Sequence, residues 1–349
     1  MNDTLVNTLQ TLSNIVGTAG DEIEVRRAIH AMVKDYVDEA HIDAMGNLIT
    51  LKRGTGTHTM RVLVTAHMDE VGLMVTGYTG EGGLRFETIG SINANVLPGL
   101  SVVVGKDKLP GVIGIEAIHL AKEQGQDAPT VSSLAVDIGA KNKEEAEKLA
   151  PLGTAIAFST RSCDLGNSIT GKAFDDRAGC AILISLLQNG PFPFDVYGAF
   201  TVQEEVGLRG ARVAAYTVEP DIGIALEGTL ADDMPKEEKD VSPTTQLGQG
   251  PAITVKDRSY TTPPKLLRHF IEAATAENIP YQLKQPGISG TEAGALHATR
   301  AGVPSITIAV PCRYIHSPIS LLRRSDLEYT AQLVSAALKR MTPAILEIE

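Results

Sequence analysis

The 349 residues, 43% hydrophobic and 21% charged, supply cores for about two domains and carry no compositional mark of disorder. A formal net charge of −11 with acids and bases interspersed excludes the basic stripe of a nucleic-acid surface, and the absence of Trp with only 4% aromatics argues against stacking platforms for sugars or single strands. Three scattered cysteines, Cys163, Cys180 and Cys312, imply no disulfide framework, and without a signal-like N-terminus or an apolar run of about 18 residues the expectation is a cytoplasmic protein with no membrane partner.

Leu5, Leu9, Leu12, Ile15 and Val16 recur at helical spacing and predict a first helix over Thr4 to Val16. After Gly17-Thr18-Ala19-Gly20, Asp21 is placed to cap a second helix that reaches about Tyr36, with Glu22 and Glu24 in its first turn. Short strands follow at His41 to Asp43 and Leu48 to Leu51, around the turn Met45-Gly46-Asn47. Arg61 to Ala66 (RVLVTA) is apolar almost throughout, as in a strand buried on both faces. From 72 to 167 glycines recur between short β-rich pieces such as Ser101 to Val104, with one amphipathic helix near Lys143 to Ala150; this reads as an inserted β-rich domain with hairpins. From Phe174 onward helix and strand alternate. Helix Ala178 to Leu187, strands Asp195 to Val202 and Ile222 to Leu226, helix Pro264 to Glu277, strand Ser305 to Ala309 and helix Ser325 to Met341 predict an α/β fold with a parallel or mixed sheet covered by helices. Lys236 to Asp240 (KEEKD) reads as a solvated loop.

The chemistry concentrates where buried strands end, the place where open α/β sheets bind ligands. His67 closes the RVLVTA strand with Asp69 two residues on, a metal ligand and its orienting partner or simply a strand-closing histidine. In Phe174-Asp175-Asp176-Arg177-Ala178-Gly179 a carboxylate can bridge two cations, or Asp175 or Asp176 can cap the helix that follows. Strand Tyr197 to Val202 runs into Gln203-Glu204-Glu205, and two adjacent carboxylates there are costly unless each has a partner or a task. One suits a metal, the other the role of general base; the plainer alternative is an exposed acidic loop. Glu227 follows strand Ile222 to Leu226, and His316 lies in Arg313-Tyr314-Ile315-His316-Ser317 beyond strand Ser305 to Ala309. Each is weak alone. Together, two histidines and three carboxylates plus one spare make the inventory of a dinuclear hydrolytic site.

These segments, with AHMDEVGLMV at 66–75, QEEVGLRGA at 203–211, GPAI at 250–253, GTEAGALH at 290–297 and RYIHS at 313–317, make the chain resemble the M42 metallo-aminopeptidases, relatives of the M28 and M20 metallopeptidases, through almost its whole length. The resemblance implies a zinc-peptidase-like α/β domain over 1–71 and 168–349, with a mixed, mostly parallel sheet flanked by helices, and an inserted β-rich dimerisation domain over 72–167. It implies an aminopeptidase, of the glutamyl or leucyl type, that acts on short peptides with two divalent ions per subunit: Zn, Co or Mn. His67 would bind one ion and His316 the other, and Asp175 would bridge them. Glu205 would join the His316 ion or its neighbour and Glu227 would be the fourth carboxylate. Glu204 would be the general base, and Asp69 would orient His67. Members of this type form self-compartmentalising tetrahedral dodecamers built of dimers. Two positions depart from the family pattern: Glu227 stands where Asp is usual, and Glu292, with a supporting part near the cleft, makes GTE of the usual GTD. The same site admits a metal-dependent deacylase or amidohydrolase on small N-acyl substrates. A non-catalytic assembly protein is the reading that Glu227 would favour.

Overall fold

The long apolar runs set the architecture. A computed structural model describes residues 3–56, 59–114, 128–234, 245–284 and 289–347; the KEEKD cluster lies outside them. Strands Arg61–His67, Asp195–Thr201, Ile222–Leu230 and Ser305–Arg313 lie together, all parallel, at the centre of an eleven-stranded sheet. Their residues are buried on both faces with a period of two. Val62, Val64 and Ala66 enter the main core, and Leu63 packs on the far side with Ala211, Ala214 and Leu296.

The sheet is mixed rather than mostly parallel. Leu48–Lys52 and Glu39–Ile42 extend it antiparallel on one side; Ser320–Arg323, Ser168–Gly171 and Cys163–Asp164 do so on the other. These pieces are two to five residues long, and the outermost, Glu39–Ile42 and Cys163–Asp164, are exposed. They lack the runs by which parallel strands announce themselves, so the sequence overstates the parallel share. Strands Ile222–Leu230 and Ser305–Arg313 also continue past Leu226 and Ala309, because their ladder persists to Leu230 opposite Cys312.

Helices Asp3–Ser13, Ile23–Val33, Phe174–Asn189, Pro264–Ala276 and Arg324–Arg340 feed the main core on one face; Arg209–Val218 and Glu292–His297 cover the other. Phe174–Asn189 is apolar around most of its circumference and buried along its length, so it is an internal helix. The second helix does not use Asp21 as a cap. Glu22 holds the N-cap position without a side-chain capping bond, because its carboxylate accepts instead from the N–H groups of Gly20 and Gln203.

Between Gly72 and Phe158 the chain leaves the sheet and closes a six-stranded barrel. Its own core includes Leu73, Val75, Phe86, Val104 and Ile156. Closure removes the free edges that short strands would otherwise expose. Among the described residues of this unit the one α-helix is Lys143–Leu149, capped by the Asn142 side chain. No helix among the described residues is long and apolar enough to cross a membrane.

The segments entering and leaving the barrel are clamped together. Lys172 Nζ meets the two carboxylate oxygens of Glu70 at 2.6 and 2.7 Å, inside the protein. Beside them the fully buried Arg177 donates to the carbonyls of Met68 (2.8 Å), Leu12, Ile15 (3.1 Å) and Gly17 (3.4 Å). Arg177→Met strands those carbonyls and removes a cation 3.5 Å from Glu70, so it is expected to cost about 3–5 kcal/mol. Arg53→Met, which breaks an exposed pair with Glu39, is expected to cost less than about 1 kcal/mol. Urea denaturation of the two variants checks this; similar midpoints would contradict it.

Candidate functional site

The parallel register brings chemistry to one level. Thr201 lies opposite His67, Ala225 opposite Thr65, and Glu227 opposite Ala309. His67 and Glu227 are therefore each two residues beyond one cross-strand pair and emerge on the same face, with His67 Nε2 3.7 Å from Glu227 Oε2. The acids at 175 and 176 arrive from the neighbouring helix, whose first residues are not helical: Ala173 is left-handed (φ 58°), and Asp175 and Asp176 depart from helical φ and ψ. The two carboxylates consequently have different fates. Asp176 makes the capping bond, Oδ1 accepting the Gly179 N–H at 2.8 Å while Oδ2 accepts the His67 N–H at 3.1 Å. Asp175 faces the crevice, Oδ1 3.4 Å from His67 Nε2 and Oδ2 3.4 Å from His316 Nε2.

Glu204 and Glu205 leave strand Asp195–Thr201 through Gln203, whose left-handed backbone (φ 57°) is held by the surrounding packing. Their N–H groups donate to Asp69 Oδ1 (3.0 Å) and Oδ2 (3.1 Å). The Asp69 carboxylate thus grips the acidic dipeptide. Its carbonyl is what accepts from His67 Nδ1 at 3.1 Å, with the carboxylate 3.6 Å away. Glu205 Oε2 lies 3.8 Å from His316 Nδ1, and His316 Nδ1 donates to the Ser91 carbonyl at 3.1 Å. Two sets of three donors converge to within 4.8 Å, His67 with Asp175 and Glu205, and His67 with Asp176 and Glu227; either can hold a metal ion. His316 adjoins the first set through Asp175 and Glu205.

Crowded, buried carboxylates must take up protons or find cations. Burial, together with Glu205, Asp175 and Glu292, pushes Glu204 up to about 8 against the pull of His67. Burial and Asp175 push Glu205 up to about 7 against His316. Glu227 is driven well above the carboxylate range by burial and Glu204. Asp175 is the exception: burial alone would raise it, but hydrogen bonds from His316 and His67 hold it far below the usual range. The same contacts overcome burial at His316 and lift it to about 9. A donor set of imidazoles and carboxylates, with one carboxylate between two imidazoles, fits divalent transition ions.

Of the two acids that the sequence offered as helix caps, Asp176 takes that part; what the sequence did not signal is its second oxygen accepting the His67 N–H. No local motif signals Lys284, a buried ammonium whose pKa burial lowers against the electrostatic pull of Glu227, Asp257 and Asp175. Glu292, expected near the cleft, is fully buried. Its N–H donates to Glu227 Oε1 at 2.9 Å, and its own Oε1 accepts from the Thr201 hydroxyl.

The sequence matches the model of the M42 glutamyl aminopeptidase family over residues 46–333. The chain belongs to the M42 peptidases. A lysyl aminopeptidase of Pyrococcus furiosus is 33% identical to it over 336 residues, 94% of each chain. An aminopeptidase of the archaeon Desulfurococcus kamchatkensis shares its fold with a TM-score of 0.93 at 33% identity, over 99% of this chain and 97% of that one. The TET1 peptidase of Pyrococcus horikoshii, which can assemble into a tetrahedron or a large octahedral shell, gives a TM-score of 0.85 at 32% identity, over 97% and 100%. This M42 chain is a peptidase hydrolase of the aminopeptidase type.

Protein stripped of metal has a stability that depends on protons in the cluster. Glu204 and Glu205 have pKa values raised from 4.5 to about 8 and about 7, so what they contribute is fully present below about pH 4.5 and is lost as pH rises through 7 to 8. The raised His316 acts with the same sign. The Tm of chelator-treated protein should therefore fall by several degrees between pH 6 and pH 9, and divalent ions should flatten the slope. A Tm that is level or rises across this range in stripped protein would refute the electrostatic description.

Proposed function

We propose that the M42 chain removes N-terminal residues from short peptides with two divalent ions per subunit, Zn, Co or Mn. The supporting observation is the placing of Asp175, with one oxygen 3.4 Å from each imidazole of His67 and His316. In this reading Asp175 is shared. His67 and Glu227 complete one side of the centre, and His316 and Glu205 the other. Bound there, the ions would supply Lewis-acid polarisation and a nucleophile at neutral pH.

The protein's own groups do the rest. Glu204, half-buried and fixed through its N–H by Asp69, takes the proton of the attacking water and returns it to the leaving amine. Asp69, through its carbonyl, also keeps the proton on His67 Nδ1 and so turns Nε2 to the crevice. The surplus of carboxylates gives the α-ammonium of a free N-terminus an attractive field, which favours exopeptidase over endopeptidase action. Glu227 is compatible with a ligand's role despite its extra methylene: the Glu292 N–H ties Oε1 and leaves Oε2 turned to His67. That geometry favours catalysis over a purely structural role. The shell assembly of the P. horikoshii peptidase supports a homo-oligomer; in this reading the β-rich insert over 72–167 is the dimerisation domain of a homo-dodecamer, residues 1–71 and 168–349 are the catalytic unit, and the cytoplasm is its place of work.

The test is hydrolysis of a panel of aminoacyl-p-nitroanilides before and after chelation, with Zn, Co and Mn added back, alongside N-acyl amino acids. Chelator-sensitive release restored by one metal is expected for the anilides. Glu204→Gln should lose roughly 10²- to 10⁴-fold in kcat while keeping its metal content. Turnover of the N-acyl compounds alone would move the assignment to a deacylase, and a near-normal rate in Glu204→Gln would remove it as the base.

A further inference from the structure

His316 is placed where its own domain holds it weakly. It lies three residues past strand Ser305–Arg313, in a turn where Tyr314 (φ 61°) and His316 (φ 55°) are both left-handed, and its side chain is 35% exposed. Within that turn Ser317 Oγ reaches the carbonyls of Tyr314 and Ile319, and the Tyr314 hydroxyl reaches Met234 Sδ at 3.6 Å; neither bond holds the imidazole. The bond that orients the imidazole comes from the other domain: Nδ1–H donates to the carbonyl of Ser91 at 3.1 Å. Ser91 stands two residues beyond the barrel strand Leu84–Ile89. A histidine whose Nδ1 proton is engaged in this way presents the Nε2 lone pair, here 3.4 Å from Asp175 Oδ2.

A second contact comes from the adjacent residue. Gly90 (φ 78°) lies against Glu205, so that a Cβ at position 90 would fall 3.0 Å from Glu205 Oε2, 3.3 Å from Glu205 Cβ and 2.8 Å from Val71 Cγ1. One corner of the barrel thus touches both side chains assigned to the same side of the centre. The corner is anchored through the ladder in which Ile89 pairs with Gly72, five residues after His67. Main chain and two hydrogen-bonded links, Gly72 with Ile89 and Ser91 with His316, therefore join the His67 half of the site to the His316 half by way of the barrel.

We infer that Gly90 and Ser91, at the corner of the inserted barrel, are positioning residues for the His316–Glu205 side of the metal centre. The Ser91 carbonyl fixes the tautomer and plane of His316, and Gly90 leaves the space in which Glu205 sits. This rests on the two-ion reading proposed above. It makes the barrel part of the active site as well as an assembly element, since a shift of the barrel against the sheet would move two ligands together.

Position 99 supplies a matched control. Gly99 has the same left-handed backbone (φ 80°) in the same barrel, but a Cβ there meets nothing within 4 Å. Gly90→Ala and Gly99→Ala therefore carry similar backbone strain and differ in the contacts with Glu205 and Val71. Metal-stripped full-length protein would be titrated with Co(II) and with Zn(II) against a chromophoric chelator. Wild type and Gly99→Ala are expected to bind two ions alike. Gly90→Ala should bind one ion as wild type does and the other about 10- to 100-fold more weakly. If Gly90→Ala fails to fold, Val71→Ala added to it relieves the tightest contact, and the same split is expected. Two ions bound with wild-type affinity by Gly90→Ala, an equal weakening of both ions, or the same loss in Gly99→Ala would overturn the inference alone. Fewer than two ions in wild type would overturn it together with the two-ion reading.

Discussion

The structure is organised around buried negative charge. Among the described residues, Asp69, Asp175, Asp176, Glu204, Glu205, Glu227 and Glu292 converge beside two imidazoles, with the Lys284 ammonium in electrostatic reach of part of the cluster, in a crevice largely withdrawn from water. Such a concentration is unfavourable unless each carboxylate is given donors, a proton or a cation. Asp69 and Asp176 are satisfied by backbone N–H groups, and their role is to fix neighbouring side chains. Asp175, Glu204, Glu205 and Glu227 turn toward the crevice, Asp175 between the two imidazoles. That division between fixing and facing acids is what turns a repulsive cluster into a site with a preference for multivalent cations.

The fold serves this division with few parts. Three of the four parallel strands deliver His67, Glu204, Glu205 and Glu227 to one edge, because parallel register aligns their carboxyl ends, and the fourth, Ser305–Arg313, leads to His316. The buried helix Phe174–Asn189 brings Asp175 to the same edge from the covering layer. The barrel is inserted between His67 and Asp175 in the sequence, so its entry and exit segments flank the site, and the Glu70–Lys172 pair with Arg177 holds them together. A large insertion is tolerated there because its ends are clamped.

Much of this was legible in the sequence, for identifiable reasons. RVLVTA and the alternation after Phe174 carry buried-strand and helix periods strong enough to locate the sheet centre, and acids at the ends of such strands stand out against their apolar surroundings. Short antiparallel edges such as Glu39–Ile42 have no such signature, so the sheet was read as more parallel than it is. Glu227 read as the end of a strand that in fact continues to Leu230, because pairing with Ser305–Arg313 outweighs the local Gly228. Asp175 and Asp176 could not be told apart, since the non-helical backbone that separates them is imposed by tertiary packing. His316 showed nothing distinctive by itself. Its meeting with Ser91 spans 225 positions, and no local pattern reports it.

The central claim is that Asp175 lies between two cation positions, one toward His67 and Glu227 and the other toward His316 and Glu205. Anomalous diffraction at the cobalt edge from crystals of the Co-loaded enzyme tests it most directly. The account predicts two peaks roughly 3.5–4 Å apart, astride the Asp175 carboxylate. A single peak, or peaks away from Asp175, would contradict it.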